Sequence, residues 1–404
     1  MSTSVVAARD AWVALASVEG LGETLLPRLC AAFGGPTELL DRAGTADPAR
    51  FAREVRDAAD RPIRRSLAAA IRAAAEDPGR VQRRVDALGG WVVTPWDIAF
   101  PAALLRIEPQ PPALFGLGDI AALGREPLVA LVGTRRPTPG GRLLATRVAT
   151  ALATQGATVV SGLAVGIDGV AHAAVTELSS PTVAVIGGGM AVGVPRAHRT
   201  LARAIIDTGG AIVGEHPPDV APTRGTFPRR NRIISGLAGA TLVVEAPIRS
   251  GALITARHAL EQGRTLFVAP GRPGDPSVAG ALALLRETPA RVLVGVEELI
   301  VDLGLADGAT PPADGAPPVA LDAQDALATL APVERSVARV LIDGPASIDA
   351  IVRGTGHPPS VVAGVLTLLQ LRGWAETLGP LQMPAGPLLR TRPRAPRMAT
   401  RDPT

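Results

Sequence analysis

With 404 residues, the chain has room for two or three domains and at least one sizeable core. All 41 basic residues are arginine, set against 37 carboxylates, so the net charge is only +4 and the placement of the arginines says more than their sum. The single cysteine, Cys30, excludes an intramolecular disulfide and any cysteine-rich metal site, and no uncharged apolar run reaches the roughly 18 residues of a membrane span.

Residues 1–86 read as a small helical domain. The apolar spacing of ARDAWVALASVE is helical, and VEGLGETLLPRLCAAFGG repeats helix, turn, helix around Gly20-Leu21-Gly22, in the manner of a SAM or helix-hairpin-helix unit. The hairpin carries little positive charge, which points to packing or protein contact rather than to a grip on DNA backbone. Cys30 lies in an apolar helical pattern and reads as buried filler. The first residues lack the basic-then-apolar layout of a secretory signal, so a cytoplasmic protein without a membrane partner is expected.

Residues 87–126 are punctuated by proline, with short apolar runs able to add an edge strand or two to the domain that follows. From 127 to 300, strand and helix patterns alternate. LVALVG, ATVVSG, TVAVIGG, AIVGE, ATLVVEA and TLFVAPG are short, nearly continuous apolar runs, as parallel strands buried on both faces should be. The amphipathic segments between them complete a doubly wound, extended Rossmann-like α/β sheet over 87–300. Residues 301–332 form a linker centred on PPADGAPP. Residues 333–380 give three short helices and a trailing strand pair, a winged-helix-like domain with Ser347 and Ser360 as N-caps. Its would-be recognition helix, 359–372, carries only Arg372 and suits protein contact better than base reading. The tail, 381–404, sets five arginines against one aspartate and reads as basic and disordered.

Ligands of a doubly wound sheet sit beyond the carboxyl ends of its strands. Gly133, Thr134 and Arg135 fall at the end of the first such strand and Ser161 and Gly162 at the second, where freed backbone N–H groups receive phosphate oxygens. Arg224, Phe227, Arg230, Asn231 and Arg232 follow on the same rim, with Ser250-Gly251 one turn further. Guanidiniums beside an aromatic ring suit single-stranded nucleic acid; the competing reading makes Phe227 core and the arginines a solvated helix end. Asn231 is the only asparagine in the chain, and its amide both donates and accepts, which its arginine neighbours cannot do.

Three rival sites share this region. Gly187-Gly188-Gly189 followed by Glu215 approximates a dinucleotide fingerprint, although Gly193 comes one residue late. Asp168 and His172 share a helix face, as a dyad or as an Asp N-cap with a histidine one turn in. Glu215 and Glu245 form either a hydrolytic pair or structural ion pairs with the arginines. The five histidines show no metal-site spacing, and no catalytic residue, metal or cofactor is assigned.

The chain resembles the DNA-processing protein A (DprA/Smf) family. VGTR at 132–135, SGLAVGID then His172, VIGGG, FPRRNRII at 227–234, VVEA, SGALITA at 250–256 and APG stand in family order, and the likeness covers residues 10–300. It implies an extended Rossmann fold that binds single-stranded DNA without chemistry, protects it and loads the RecA recombinase onto it in natural transformation and recombination, as a homodimer. By that resemblance Arg135 holds a phosphate, Phe227 stacks on a base, Arg224 replaces a lysine, and Arg230-Asn231-Arg232 match an Arg-Asn-Arg run. The family's Tyr-Pro is Val194-Pro195 here, the asparagine after it is His198, its Gly-x-Asn is Gly280-Ala281-Leu282, and its Gly-Ala is Thr288-Pro289. The enzyme alternative, the related lysine-decarboxylase-like phosphoribohydrolases, carries a Pro-Gly-Gly-x-Gly-Thr loop where this chain has Ala-Pro-Ile-Arg-Ser-Gly.

Overall fold

A computed structural model describes residues 3–306, 327–328, 330–378, 381–385 and 388. The PPADGAPP segment and the tail beyond 388 lie outside them. Six helices open the chain: α1 (Thr3–Ala16), α2 (Leu25–Phe33), α3 (Pro36–Thr45), α4 (Pro48–Ala59), α5 (Leu67–Glu76) and α6 (Arg80–Ala87). Trp12, Leu15, Leu26, Leu29 and Phe51 build their core, and Cys30 is buried in it, where burial pushes its thiol well up. Gly20, at φ +88°, makes the turn after α1 that a side chain would resist.

The lead-in supplies β1 (Trp91–Val93) and β2 (Leu114–Gly118), the two edge strands its apolar runs allowed. Then come β3 (Leu128–Val132), β4 (Thr158–Ser161), β5 (Thr182–Val185), β6 (Ala211–Gly214), β7 (Ala240–Val243), β8 (Thr265–Val268) and β9 (Arg291–Val292). They form one sheet in the order β1-β2-β6-β5-β4-β3-β7-β8-β9. Pairing is parallel from β6 to β9, while β2 joins β6 antiparallel. Only β9, a two-residue strand, escaped the apolar-run reading, being too short to show one.

Period-two alternation assigns each strand's side chains to two layers. On β3, Ala130 and Val132 face one core with α10 (Thr226–Leu237) and α11 (Ala252–Glu261). Val129 and Leu131 face the other, with α7 (Pro139–Thr154), α8 (Ile167–Glu177) and α13 (Val296–Asp302), while α9 (Arg199–Asp207) precedes β6 and α12 (Ala279–Glu287) follows β8. Helices on both faces explain why every residue of β3 to β7 is buried. The strand order turns between β4-β3 and β7, so the crevice a ligand would use opens beyond Val132 and Val243.

The C-terminal module has helices Pro332–Ile342, Ile348–Thr355 and Pro359–Leu371 and a three-stranded sheet of β10 (Ala346–Ser347), β12 (Leu381–Pro384) and β11 (Ala375–Leu378), a winged-helix arrangement. Ser347 caps its helix by accepting from the Ala350 amide at 3.2 Å. Ser360 does not: the helix starts at Pro359, with Pro358 in the capping position. A second correction is that β12 continues the sheet into the segment expected to be tail, because its residues pair with β11 and are buried.

Candidate nucleic-acid interface

Residue by residue, the strand-end rim divides into an exposed surface and a buried frame. Arg135 leaves β3 into solvent, and its Cζ lies 5.3 Å from the centroid of the Phe227 ring. Phe227, half-buried near the start of α10, rests on the backbone at the end of β5: a Cβ added to Gly187 would come within 3.1 Å of its Cδ1. Arg136 and Arg224 are exposed on the same loops, and Ser250 and Gly251 are accessible after β7. Two more exposed arginines were passed over by sequence reading: Arg142, in the first turn of α7, and Arg249, on the loop after β7. Their only signal was position, each within a few residues of a strand-end turn.

The frame uses the remaining predicted residues. Arg230, three residues after Phe227, is buried, donating to the Gly162 carbonyl at 2.7 Å and to that of Val185, so it ties the ends of β4 and β5 together. Its Nε donates to Asn231 Oδ1 at 3.0 Å, and Asn231 Nδ2 donates to the Gly251 carbonyl at 3.2 Å. The amide thus spends both functions joining the arginine to the Ser250-Gly251 turn. Arg232 also points inward, forming a two-pronged ion pair with Glu215 (3.1 and 2.5 Å) and donating to the Pro109 carbonyl at 2.8 Å. Arg230, Asn231 and Arg232 therefore do not line an open rim, because a helix sealed against the sheet carries them inward. Ser161 is likewise buried and donates to the Leu131 carbonyl at 2.6 Å. Thr134 is buried, its N–H on the Glu245 carbonyl at 2.7 Å, while Gly133 is half-buried and Gly162 fully buried.

Electrostatics follow this division. Burial would raise the Glu215 carboxyl, but the charge and hydrogen bonds of Arg232 outweigh it and hold the group below the ordinary range. Burial lowers Arg230 to about 10, with Asp168 opposing and Arg135 assisting the shift. Glu245 accepts from the N–H and hydroxyl of Thr138, which caps α7 through the Gly141 amide. Both glutamates are thus engaged apart from one another and make no hydrolytic pair.

The other rivals resolve in the same physical terms. The loop 217–222 packs on the triple glycine: Gly189 donates to the Val220 carbonyl at 2.8 Å, and a Cβ on Gly189 would strike the Pro217 and Pro218 carbonyls. A diphosphate there would meet carbonyl oxygens instead of amides. Gly166, not Asp168, occupies the N-cap of α8; Asp168 accepts from the Ala164 amide at 3.4 Å and feels the Arg230 charge. Burial lowers His172 to about 3. Its Nδ1–H donates to Thr182 Oγ1 at 2.9 Å, since that hydroxyl already donates to the Val159 carbonyl. His198 donates through Nδ1 to the Leu163 carbonyl at 2.9 Å, and Leu282 packs against the sheet core. Among the described residues, no group of three His, Cys, Asp or Glu side chains is placed to hold a metal ion. None of the described helices is long and apolar enough to cross a membrane.

The helical hairpin packs on this domain. Glu23, just past Gly22, pairs with Arg229 on α10, two residues after Phe227.

A doubly wound parallel sheet with Arg135 and Phe227 side by side on its strand-end rim defines an extended Rossmann-type protein. The chain belongs to the DNA recombination-mediator protein A family, whose description matches residues 91–304, and residues 321–379 match the DprA winged helix domain. It is 40% identical to Protein Smf of Escherichia coli over 275 residues, 68% of this chain and 72% of that one. It is 38% identical to the DNA processing protein DprA of Bacillus subtilis over 204 residues, half of this chain and 68% of that one. The X-ray structure of DNA processing protein A from Streptococcus pneumoniae superposes with a TM-score of 0.59 at 27% identity, covering 72% of this chain and 97% of that one.

Proposed function

We propose that this chain binds single-stranded DNA along its strand-end rim, with little sequence preference and without chemistry. In this reading Arg135 and Arg224 neutralise phosphates and the face of Phe227 stacks on a base. Arg230, Asn231, Arg232, Thr134, Ser161 and Gly162 hold the rim in shape, while Gly133, Ser250 and Gly251 leave backbone close to the strand's path. The observation that carries it is the exposed Arg135 guanidinium 5.3 Å from the half-buried Phe227 ring, a charge and a π-face presented together. Family membership supports a role in DNA processing; in our reading the chain protects incoming single strands and loads RecA onto them, as a cytoplasmic homodimer. The phosphoribohydrolase alternative is disfavoured, because Glu215 and Glu245 are committed to Arg232 and Thr138.

Fluorescence anisotropy with a labelled oligonucleotide, single-stranded or annealed, tests this reading. A clear preference for the single strand, insensitive to its sequence, is expected. Equal affinity for the duplex would refute it.

A further inference from the structure

The winged-helix sheet is buried on the wrong side for a free-standing module. Alternation along β12 sends Gln382 toward the module's own helices, where it accepts from Gln370 Nε2 at 2.8 Å. Leu381 and Met383 must then point to the outer face, which an isolated two-layer module leaves in water. Yet they are 2% and 4% exposed. Leu381 belongs to the apolar core of the N-terminal helical domain, with Trp12, Leu26 and Phe51, and is absent from the core that Val337, Leu366 and Leu369 build inside the module.

Two further contacts follow the same face. Glu376, which pairs with Met383 across the sheet, is raised by burial and opposed by the charge of Arg106, on the turn Ala102–Arg106 ahead of β2. Ser347, Ile348 and Asp349 face Arg28, Ala31, Ala32 and Ala58 across a cleft of about 500 Å³.

We propose that the winged-helix module is docked in cis on the helical domain through the outer face of its sheet, with Leu381 as the apolar anchor. The strand pair that forms the wing is therefore engaged with protein and withheld from nucleic acid. The outward face of the helix Pro359–Leu371 is left accessible, with Val361, Ala363, Gly364, Thr367 and Leu368 on it and no charge among them.

Hydrogen exchange read by mass spectrometry on the full chain tests the docking, with no DNA present. Leu381→Asp should speed exchange at least tenfold in α2, α4 and segment 381–385, while helices Pro332–Ile342 and Pro359–Leu371 keep wild-type protection. Unchanged exchange in α2 and α4 overturns the proposal. Ala32→Glu, an exposed helical-domain position facing Asp349, guards against a merely unfolded module. It should raise exchange in 381–385 from the opposite side, and failure to do so also counts against docking. Protection of 381–385 that grows with protein concentration would place the contact between two copies and overturn the cis arrangement.

Discussion

Replacing Arg232 with methionine separates the frame from the DNA surface. The change keeps most of the side chain's volume but strands Glu215, 5% exposed, without its partner. Breaking a buried pair by removing one member costs about 3–5 kcal/mol, because the remaining charge is uncompensated. The carbonyl of Pro109 loses its donor as well, adding about 1–3 kcal/mol if water cannot reach it. Urea unfolding should therefore show a loss of about 4 kcal/mol or more. Adding Glu215→Leu should recover most of it, since both charges then leave together. Single-strand binding by the folded double variant should keep the wild-type salt dependence, because Arg232 reaches no phosphate. A stable Arg232→Met protein whose salt dependence has fallen would refute the reasoning and return Arg232 to the DNA surface.

Phe227→Ala should lose roughly 1–3 kcal/mol of single-strand affinity with its salt slope unchanged, as anisotropy titrations will show, and a melt should show less than the roughly 3–5 kcal/mol cost of a core phenylalanine. Gly189→Ala drives a methyl onto the Pro217 and Pro218 carbonyls and should destabilise by about 3 kcal/mol in the same urea assay. His172 is neutral when folded, with a value lowered to about 3, but protonates near its ordinary value once unfolded. The stability it confers is complete above that ordinary value and is lost as the pH falls toward the folded one, by about 1.4 kcal/mol one unit below the ordinary value. Against His172→Asn, the wild type should lose that much more stability on acidification; parallel pH profiles would contradict this.

The sheet was legible because buried parallel strands leave short, nearly continuous apolar runs, as in ATLVVEA and TVAVIGG. β9 was not, since a strand of only two residues, Arg291–Val292, is too short to set a pattern. Arg135 and Phe227 could be placed because strand-end turns set the switch point. The direction of Arg230 and Arg232 could not: a run of arginines and an amide reads as solvent-facing until helix α10 is rotated against the sheet. Burial then turns the run inward, and its partners, Glu215 and the Gly162 and Val185 carbonyls, lie 17 to 68 positions away in sequence. The hint that survived was chemical, since the single asparagine does use its amide in both senses. The docking of β12 on the helical domain had no local signature, because Leu381 looks the same whichever core it enters.

The salt dependence of single-strand binding by Arg135→Ala tests the central claim most directly. Removing one phosphate-neutralising cation should weaken binding and make the slope of log affinity against log salt shallower by about 0.7. Binding that weakens with the wild-type slope, or does not weaken at all, would contradict the assignment of this rim as the DNA surface.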